Sequence, residues 1–128
     1  MFKKASIYVK IFPNKIEVTN LLTDESITRE STQHFSTKRL LIADYNTAEL
    51  LLRSVLEDLK ILKKFTFGAK FIIQQMELLE GGLAEVEKRA MRDICEQAGA
   101  SEVYIIEGIK ALTKTELLGP EWRSYVVR

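Results

Sequence analysis

Residues 5–20 read ASIYVKIFPNKIEVTN, an alternation of apolar and polar side chains on either side of a turn pair. An apolar residue at every second position is the period of a half-buried β-strand. Pro13 fixes its own φ, and Asn14 tolerates the conformation that follows, so the pair favours a turn. The segment therefore predicts a β-hairpin with strands over 5–12 and 15–20.

A third strand is expected directly after this hairpin. The pair Thr23-Asp24 predicts a second turn, and the β-prone stretch 25–30 follows it with Ile27 as its single apolar anchor. Together the three strands would form an antiparallel meander. The polar segment from Ser31 to Arg39, which contains the single histidine, predicts a loop.

Two amphipathic helices are predicted after this loop. Asn46 and Glu49 have the spacing of a capping box and predict a helix over 47–63. Gly81-Gly82 opens a second helix, and Gly99 ends it. The apolar positions are Ala48, Leu51, Leu52, Val55, Leu59 and Leu62 in the first helix, and Leu83, Val86, Ala90, Ile94 and Ala98 in the second.

Short apolar runs at 69–73 and 103–106 predict buried strands, the first of them central and covered on both faces. A weak helical pattern over 109–117 precedes a break at Gly119-Pro120. The resulting order, βββαβαβ, predicts an α/β fold with a mixed sheet, because each β-α-β step is a right-handed crossover to a parallel strand. This is the ribonuclease H-like arrangement, and residues 1–128 are expected to form a single domain.

The composition excludes several classes of protein. Hydrophobic residues make up 46% and charged residues 29% of the chain, which rules out disordered and low-complexity proteins. The net charge of +1 gives no electrostatic reason to expect a nucleic-acid partner. One cysteine cannot form an internal disulfide, and no apolar run approaches the roughly 20 residues of a membrane span. We therefore expect a cytoplasmic protein without a membrane span.

Three segments resemble the MreB family, the rod shape-determining bacterial homologues of actin. The clearest is VEKRAMRD at 86–93, followed by QAGA at 97–100 and EVYIIE at 102–107, which are similar to the family's V-E-R-R-A-I-R-E helix, its G-A-G-A turn and its strand ending in I-E-E. LIADY at 41–45 is similar to V-I-A-D-F, and IEV at 16–18 stands where the family has I-Y-V. The resemblance implies the core subdomain of an actin-like ATPase, one subdomain of four.

The resemblance also assigns positions to the family's first phosphate loop, D-x-G-T, which binds nucleotide and its metal. Matching the first strand from Ser6-Ile7 without gaps puts Tyr8, Lys10 and Ile11 at the Asp, Gly and Thr positions. A tyrosine does not replace a carboxylate as a Mg²⁺ ligand, and the side chains of Lys10 and Ile11 prevent close approach of the backbone to phosphate. We expect degenerate phosphate-loop positions, with no cofactor, no metal and no enzymatic activity.

Glu107 falls on the first Glu of the I-E-E pair, which the resemblance associates with positioning the attacking water. The next residues, Gly108 and Ile109, depart from the family's E-P. A carboxylate without phosphates to act on has nothing to hydrolyse. We interpret Glu107 as a vestige that marks the end of a strand.

The C-terminal stretch Trp122, Tyr125, Val126 and Val127 is too apolar for an idle tail. One interpretation is that it adds a strand to, or packs over, the sheet of its own chain. The other is that Trp122 and Tyr125 anchor a partner protein, since both residue types are common at interfaces.

The function expected from these observations is that of an MreB-like protein without a complete ATP site. It would act by protein–protein interaction in bacterial cell shape or cytoskeletal organisation, its partner being a filament-forming shape-determining protein or a second copy of itself. Two alternatives stay open. One is a nucleotide-binding half-site or ATPase that oligomerisation completes, and the other is a structural adaptor unrelated to the cytoskeleton.

Overall fold

A mixed sheet with two helices on one face organises the computed structural model, which describes residues 5–60, 69–77 and 81–127. The strands are β1 (Ala5–Phe12), β2 (Lys15–Asn20), β3 (Glu25–Glu30), β4 (Ala69–Gln75), β5 (Ala100–Ile106) and β6 (Val126–Val127). The helices are α1 (Tyr45–Asp58), α2 (Glu85–Gln97) and α3 (Lys114–Leu118), with a 3₁₀ turn at Glu121–Tyr125. No helix in the described ranges is long and apolar enough to cross a membrane.

The sheet has the strand order β3-β2-β1-β4-β5-β6. β1, β4 and β5 run parallel to one another, whereas β2, β3 and β6 each run antiparallel to their neighbours. The parallel neighbours require crossover connections, which α1 and α2 supply. The predicted mixed sheet and its βββαβαβ order are confirmed.

Both faces of the central strands are covered. On one face Ile7, Val9 and Ile11 of β1 pack with the buried sides of α1 and α2. On the other face Tyr8 and Ile72 pack with residues of the C-terminal segment, Leu117 and Trp122 among them. The prediction that β4 is covered on both sides is therefore confirmed.

The meander has the predicted boundaries, 5–12, 15–20 and 25–30. β4 and β5 are longer than predicted, because the ladder between β1 and β4 continues to the pair Ile11↔Gln75 and β5 pairs with β4 from Ala100 onwards. Two glutamines thus belong to β4 because their backbone pairs with a neighbouring strand, although the apolar pattern that predicted the strand ends before them.

The predicted capping box at Asn46 and Glu49 is wrong. Asp44 is the N-cap of α1, and its carboxylate accepts hydrogen bonds from the backbone N–H of Thr47 at 3.1 Å and from the Thr47 hydroxyl at 2.8 Å. Two acceptor oxygens satisfy two donors, so the helix begins at Tyr45, two residues before the predicted start. It ends at Asp58, short of the predicted end; positions 61–63, including Leu62, lie outside the described residues.

The predicted start and apolar side of α2 also need correction. The helix begins at Glu85, after the Gly81-Gly82 turn, and its buried residues are Met91, Ile94 and Cys95. Val86 is 59% exposed, because a period of 3.6 residues carries it away from the side that Met91 and Ile94 define.

The helix predicted over 109–117 is reduced to α3, at Lys114–Leu118. Thr113 caps it reciprocally, since the Thr113 hydroxyl accepts from the N–H of Glu116 at 3.1 Å and the Glu116 carboxylate accepts from the N–H of Thr113 at 2.9 Å. Among the preceding residues, the carbonyl of Lys110 and the N–H of Leu112 instead form hydrogen bonds with the side chains of Gln74 and Tyr8. The predicted break at Gly119-Pro120 is confirmed.

Asn14 joins the first hairpin to the loop before α1. Its backbone is left-handed, with φ of 53°, as the predicted turn requires. The side-chain oxygen accepts hydrogen bonds from the N–H groups of Phe35 at 2.8 Å and Ser36 at 2.9 Å. Phe35 is buried in the core, so Asn14 fixes the backbone from which this anchor projects.

We expect Asn14→Gly to lower the free energy of unfolding by about 1–3 kcal/mol, because glycine keeps the backbone conformation but leaves two N–H groups without their acceptor. Asp24→Gly is the matched control, since Asp24 also has a positive φ of 67° but is exposed. Urea unfolding measures both. Equal stability of the two variants would contradict this role of Asn14.

Candidate functional site

The parallel strands β1, β4 and β5 have their carboxyl ends at the same end of the sheet. Ligands bind at this end of the strands in open α/β folds. A cleft of about 220 Å³ lies there. The cleft is lined by the end of β4 and by the segment that begins at the end of β5. The lining residues are Gln74, residues 106–110, Leu112, Glu116 and Tyr125. We call this the strand-end cleft.

Tyr8 lies beneath the strand-end cleft, 3% exposed. Its hydroxyl donates to the side-chain oxygen of Gln74 and accepts a hydrogen bond from the N–H of Leu112 at 3.1 Å. The Gln74 amide nitrogen in turn donates to the carbonyls of Gly108 at 2.8 Å and Lys110 at 2.9 Å. The position assigned to the phosphate-loop carboxylate thus holds a hydroxyl whose partners all come from the chain itself.

Burial sets the ionisation of Tyr8. It raises the pKa of the phenol to about 12, with small further increases from the carboxylates of Glu17 and Glu116, while the hydrogen bond from Leu112 acts in the opposite direction. The phenol is therefore neutral at physiological pH and retains the proton that it donates to Gln74.

Lys10 and Ile11 have separate environments. The Lys10 ammonium lies 2.5 Å from the Glu17 carboxylate and 5.5 Å from the centre of the Tyr8 ring. Burial would raise the pKa of Glu17, but hydrogen bonds from Lys10 and Thr28 outweigh it and lower that pKa. Ile11 is 1% exposed and belongs to the core on the helix side. Neither side chain lines the strand-end cleft.

Glu107 directly follows β5, and its carboxylate faces the turn that precedes α2. It accepts a hydrogen bond from the N–H of Leu83 at 3.1 Å, and a Cβ at Gly82 would lie only 3.0 Å from the same oxygen. The Glu107 N–H donates to the carbonyl of Tyr125 at 3.0 Å. Glu107 therefore connects the end of β5 to two other segments.

Gln74 and Gln75 were missed by the sequence reasoning, which ended β4 at Ile73. Both are 1% exposed. Gln75 extends to the helix side, where its amide nitrogen donates to the Glu87 carboxylate at 2.7 Å. The two consecutive glutamines after an apolar run could have indicated this site. If the strand continues into them they are buried, and buried amides need hydrogen-bond partners.

The C-terminal segment packs on its own chain, as the first interpretation predicted. β6 pairs with the end of β5, and Trp122 is 2% exposed with its ring 5.1 Å from that of Tyr104 in an edge-to-face arrangement. The cations of Lys70 and Arg123 lie 5.2 Å and 4.7 Å from the Trp122 ring. Tyr125, in contrast, is 44% exposed at the cleft. Of the two expected anchors, only Tyr125 is open to a partner.

Among the described residues, the charged groups that line the strand-end cleft are the carboxylates of Glu107 and Glu116 and the ammonium of Lys110. Within the described ranges no group of three or more His, Cys, Asp and Glu side chains is arranged to hold a metal ion.

We expect Tyr8→Phe to lower the free energy of unfolding by about 1–3 kcal/mol, because the N–H of Leu112 and the oxygen of Gln74 lose a buried partner. The control Tyr125→Phe alters an exposed hydroxyl and should change stability by no more than about 0.5 kcal/mol. Urea unfolding at neutral pH gives both values.

The difference in stability between the native chain and Tyr8→Phe should depend on pH. Above pH 10 an unfolded tyrosine loses its proton, whereas folded Tyr8 keeps it until about pH 12, so the unfolded state binds fewer protons and the native protein loses stability over this interval. Tyr8→Phe lacks this loss. The stability difference between the two should therefore shrink from pH 10 to 12, and a constant difference would contradict the raised pKa.

Comparisons with known proteins agree with this architecture. The family model for MreB/Mbl protein matches residues 37–113, more than half of the chain. The crystal structure of MreB5 of Spiroplasma citri bound to ADP superposes with a TM-score of 0.52 at 16% identity over 80% of this chain, which spans 38% of the length of that protein. The Uncharacterized protein YjaA of Escherichia coli (strain K12) is 28% identical over 102 residues, 74% of this chain and 76% of that protein.

The family match includes two of the segments that carried the resemblance, LIADY at 41–45 and the run from 86 to 107. The superposition shows a likeness of fold to MreB5. The chain belongs to the MreB/Mbl family.

Proposed function

We propose that this MreB/Mbl family protein acts by protein–protein interaction in bacterial cell shape or cytoskeletal organisation, without binding ATP at the strand-end cleft. The observation that carries the proposal is the network of Tyr8, Gln74 and the backbone of residues 108–112. Tyr8 stands at the position that the family resemblance assigns to the phosphate-loop carboxylate, and its hydroxyl is already hydrogen-bonded to Gln74 and to the N–H of Leu112, which supports the proposal.

Charge and size support the absence of nucleotide from this cleft. Glu107 and Glu116 would repel a polyphosphate, and the ammonium of Lys110, the single cation among the described lining residues, does not outweigh both. The cleft of about 220 Å³ is also smaller than the roughly 300–1,000 Å³ of pockets that hold drug-sized ligands. The half-site alternative would need a second chain to overcome this excess of negative charge.

The mouth of the cleft offers a surface for a protein partner. Tyr125 is 44% exposed and Ile109 is 62% exposed, and both line the cleft. Tyr125 belongs to the 3₁₀ turn that buries Trp122, so little conformational freedom is lost when it is covered. The filament-forming relatives of the family are the partner class that family membership favours.

We expect isothermal titration of the purified chain with Mg²⁺ and ATP, and separately with ADP, to give no saturable heat. The melting temperature should likewise be unchanged by millimolar nucleotide, because only a ligand that binds the native state stabilises it. Stoichiometric binding at micromolar affinity would overturn the proposal. Dimers that form only with ATP would favour the half-site alternative.

We expect the chain to pellet with a purified, polymerised MreB-family protein, and Tyr125→Ala to weaken this binding about tenfold or more, as truncation of an interfacial tyrosine does. The control is Leu118→Ala, which shortens another exposed apolar side chain that does not line the cleft. Equal weakening by the two variants would reject Tyr125 as the anchor. No co-sedimentation of the native chain would favour the adaptor alternative.

A further inference from the structure

β3 forms one edge of the sheet, and its outer side is open. Among the residues that the structure describes, only β2 pairs with it. The ladder between them runs from Lys15↔Glu30 to Asn20↔Glu25 without a bulge, and β3 contains neither proline nor glycine. Six regular residues with free backbone groups on one side are a template for another strand.

The register identifies the free groups. The N–H of Ser31 donates to the carbonyl of Asn14 at 2.8 Å, so this pair belongs to the hydrogen-bonded set of the ladder. Hydrogen-bonded and non-hydrogen-bonded pairs alternate along an antiparallel ladder. The backbone N–H and C=O groups of residues 29, 27 and 25 therefore point towards β2, like those of Ser31. The N–H and C=O groups of Ser26, Thr28 and Glu30 therefore point outwards.

The side chains of β3 select a partner and a register. Glu25, Ile27 and Arg29 share the face that α1 covers, Arg29 donating to Asp58 at 2.5 Å. If two copies of β3 pair antiparallel about Ile27, the two Ile27 side chains are opposite each other and each Glu25 is opposite the second copy's Arg29. Opposite charges and apolar pairs stabilise such positions.

Neighbouring registers are worse. Pairing about Thr28 puts each Arg29 opposite an isoleucine, and pairing about Arg29 puts two guanidinium groups opposite each other, which like-charge repulsion disfavours. Since moving the centre of pairing by one residue, which shifts one strand by two residues against the other, loses both ion pairs, the charge pattern favours a single alignment.

An exposed leucine lies near each end of β3. A groove of about 430 Å³ lies between α1 and the end of β3, with Leu50 on its wall at 66% exposure. Leu22, in the turn before β3, is 48% exposed beside the other end of the strand. Antiparallel pairing brings the second copy's Leu22 to the end of the strand where Leu50 lies, so both exposed leucines gain apolar neighbours.

We infer that the outer edge of β3 is a self-association surface, which pairs antiparallel with β3 of a second copy about Ile27 and forms one continuous sheet across a two-fold axis. The inference extends the proposed interaction role to a second copy of this chain. It depends on β3 and not on Tyr125, so a monomer that still binds a filament protein would refute it and leave the proposed function intact.

The first test is sedimentation equilibrium of the full chain over a concentration series. We expect a reversible dimer, abolished by Thr28→Pro and retained by Thr28→Ala, because proline removes an outward N–H and leaves the bonds to β2 in place. An unchanged circular dichroism spectrum of Thr28→Pro establishes that it is folded. A native chain that is monomeric throughout, or that forms species larger than dimers, overturns the inference.

The second test measures the register. Glu25→Lys should weaken the dimer about tenfold by setting an ammonium against the second copy's Arg29, and Glu25→Gln should weaken it less. Under oxidising conditions Ile27→Cys should cross-link to a dimer, since opposed residues of a pair without hydrogen bonds have Cα atoms about 4.5 Å apart, within disulfide range. Cross-linking of Thr28→Cys instead, or of neither variant, overturns the pairing about Ile27.

Discussion

The hydroxyl of Tyr8 joins three segments that lie far apart in the sequence. It donates to Gln74, 66 residues further along, and accepts from Leu112, 104 residues further along. β1, β4 and the segment that covers the second face of the sheet therefore meet at one buried polar group. Because buried polar groups are costly when unsatisfied, the network specifies how that segment sits on the sheet as well as stabilising it.

The Tyr8 network determines how the C-terminal segment covers the face of the sheet opposite α1 and α2. Gln74 binds the carbonyls of Gly108 and Lys110, which holds residues 108–112 in a bent, non-helical path, and α3 begins only after its cap, Thr113. Trp122 packs on the same face of the sheet, and the cations of Lys70 and Arg123 lie 5.2 Å and 4.7 Å from the centre of its ring. A helical pattern over 109–117 is thus overridden by hydrogen bonds that the same backbone makes to a side chain of another strand.

Local patterns in the sequence predict most of the fold, whereas contacts between distant segments do not show in them. The meander, with its turn at Asn14, was predicted to the residue because alternation and turn chemistry are local. The cap of α1 was misplaced from Asp44 to Asn46, since both types cap helices and only the backbone geometry chooses between them. At the site, Tyr8 was singled out by its position in the family pattern, but its partner Gln74 was not, because contacts across 66 residues leave no periodic signal.

The two edges of the sheet present different surfaces, and this difference bears on how the protein meets others. β5 is followed by a segment that turns back and pairs with its end through Val126 and Val127, while Trp122 and Tyr104 pack beside it. β3 has no such cover among the described residues, and its protection against indiscriminate pairing is the charge on Glu25, Arg29 and Glu30. Charges of both signs on one strand disfavour pairing with most other strands, but they are complementary to a second, antiparallel copy of β3. The same residues therefore protect the edge from unspecific pairing and make pairing with a second copy specific.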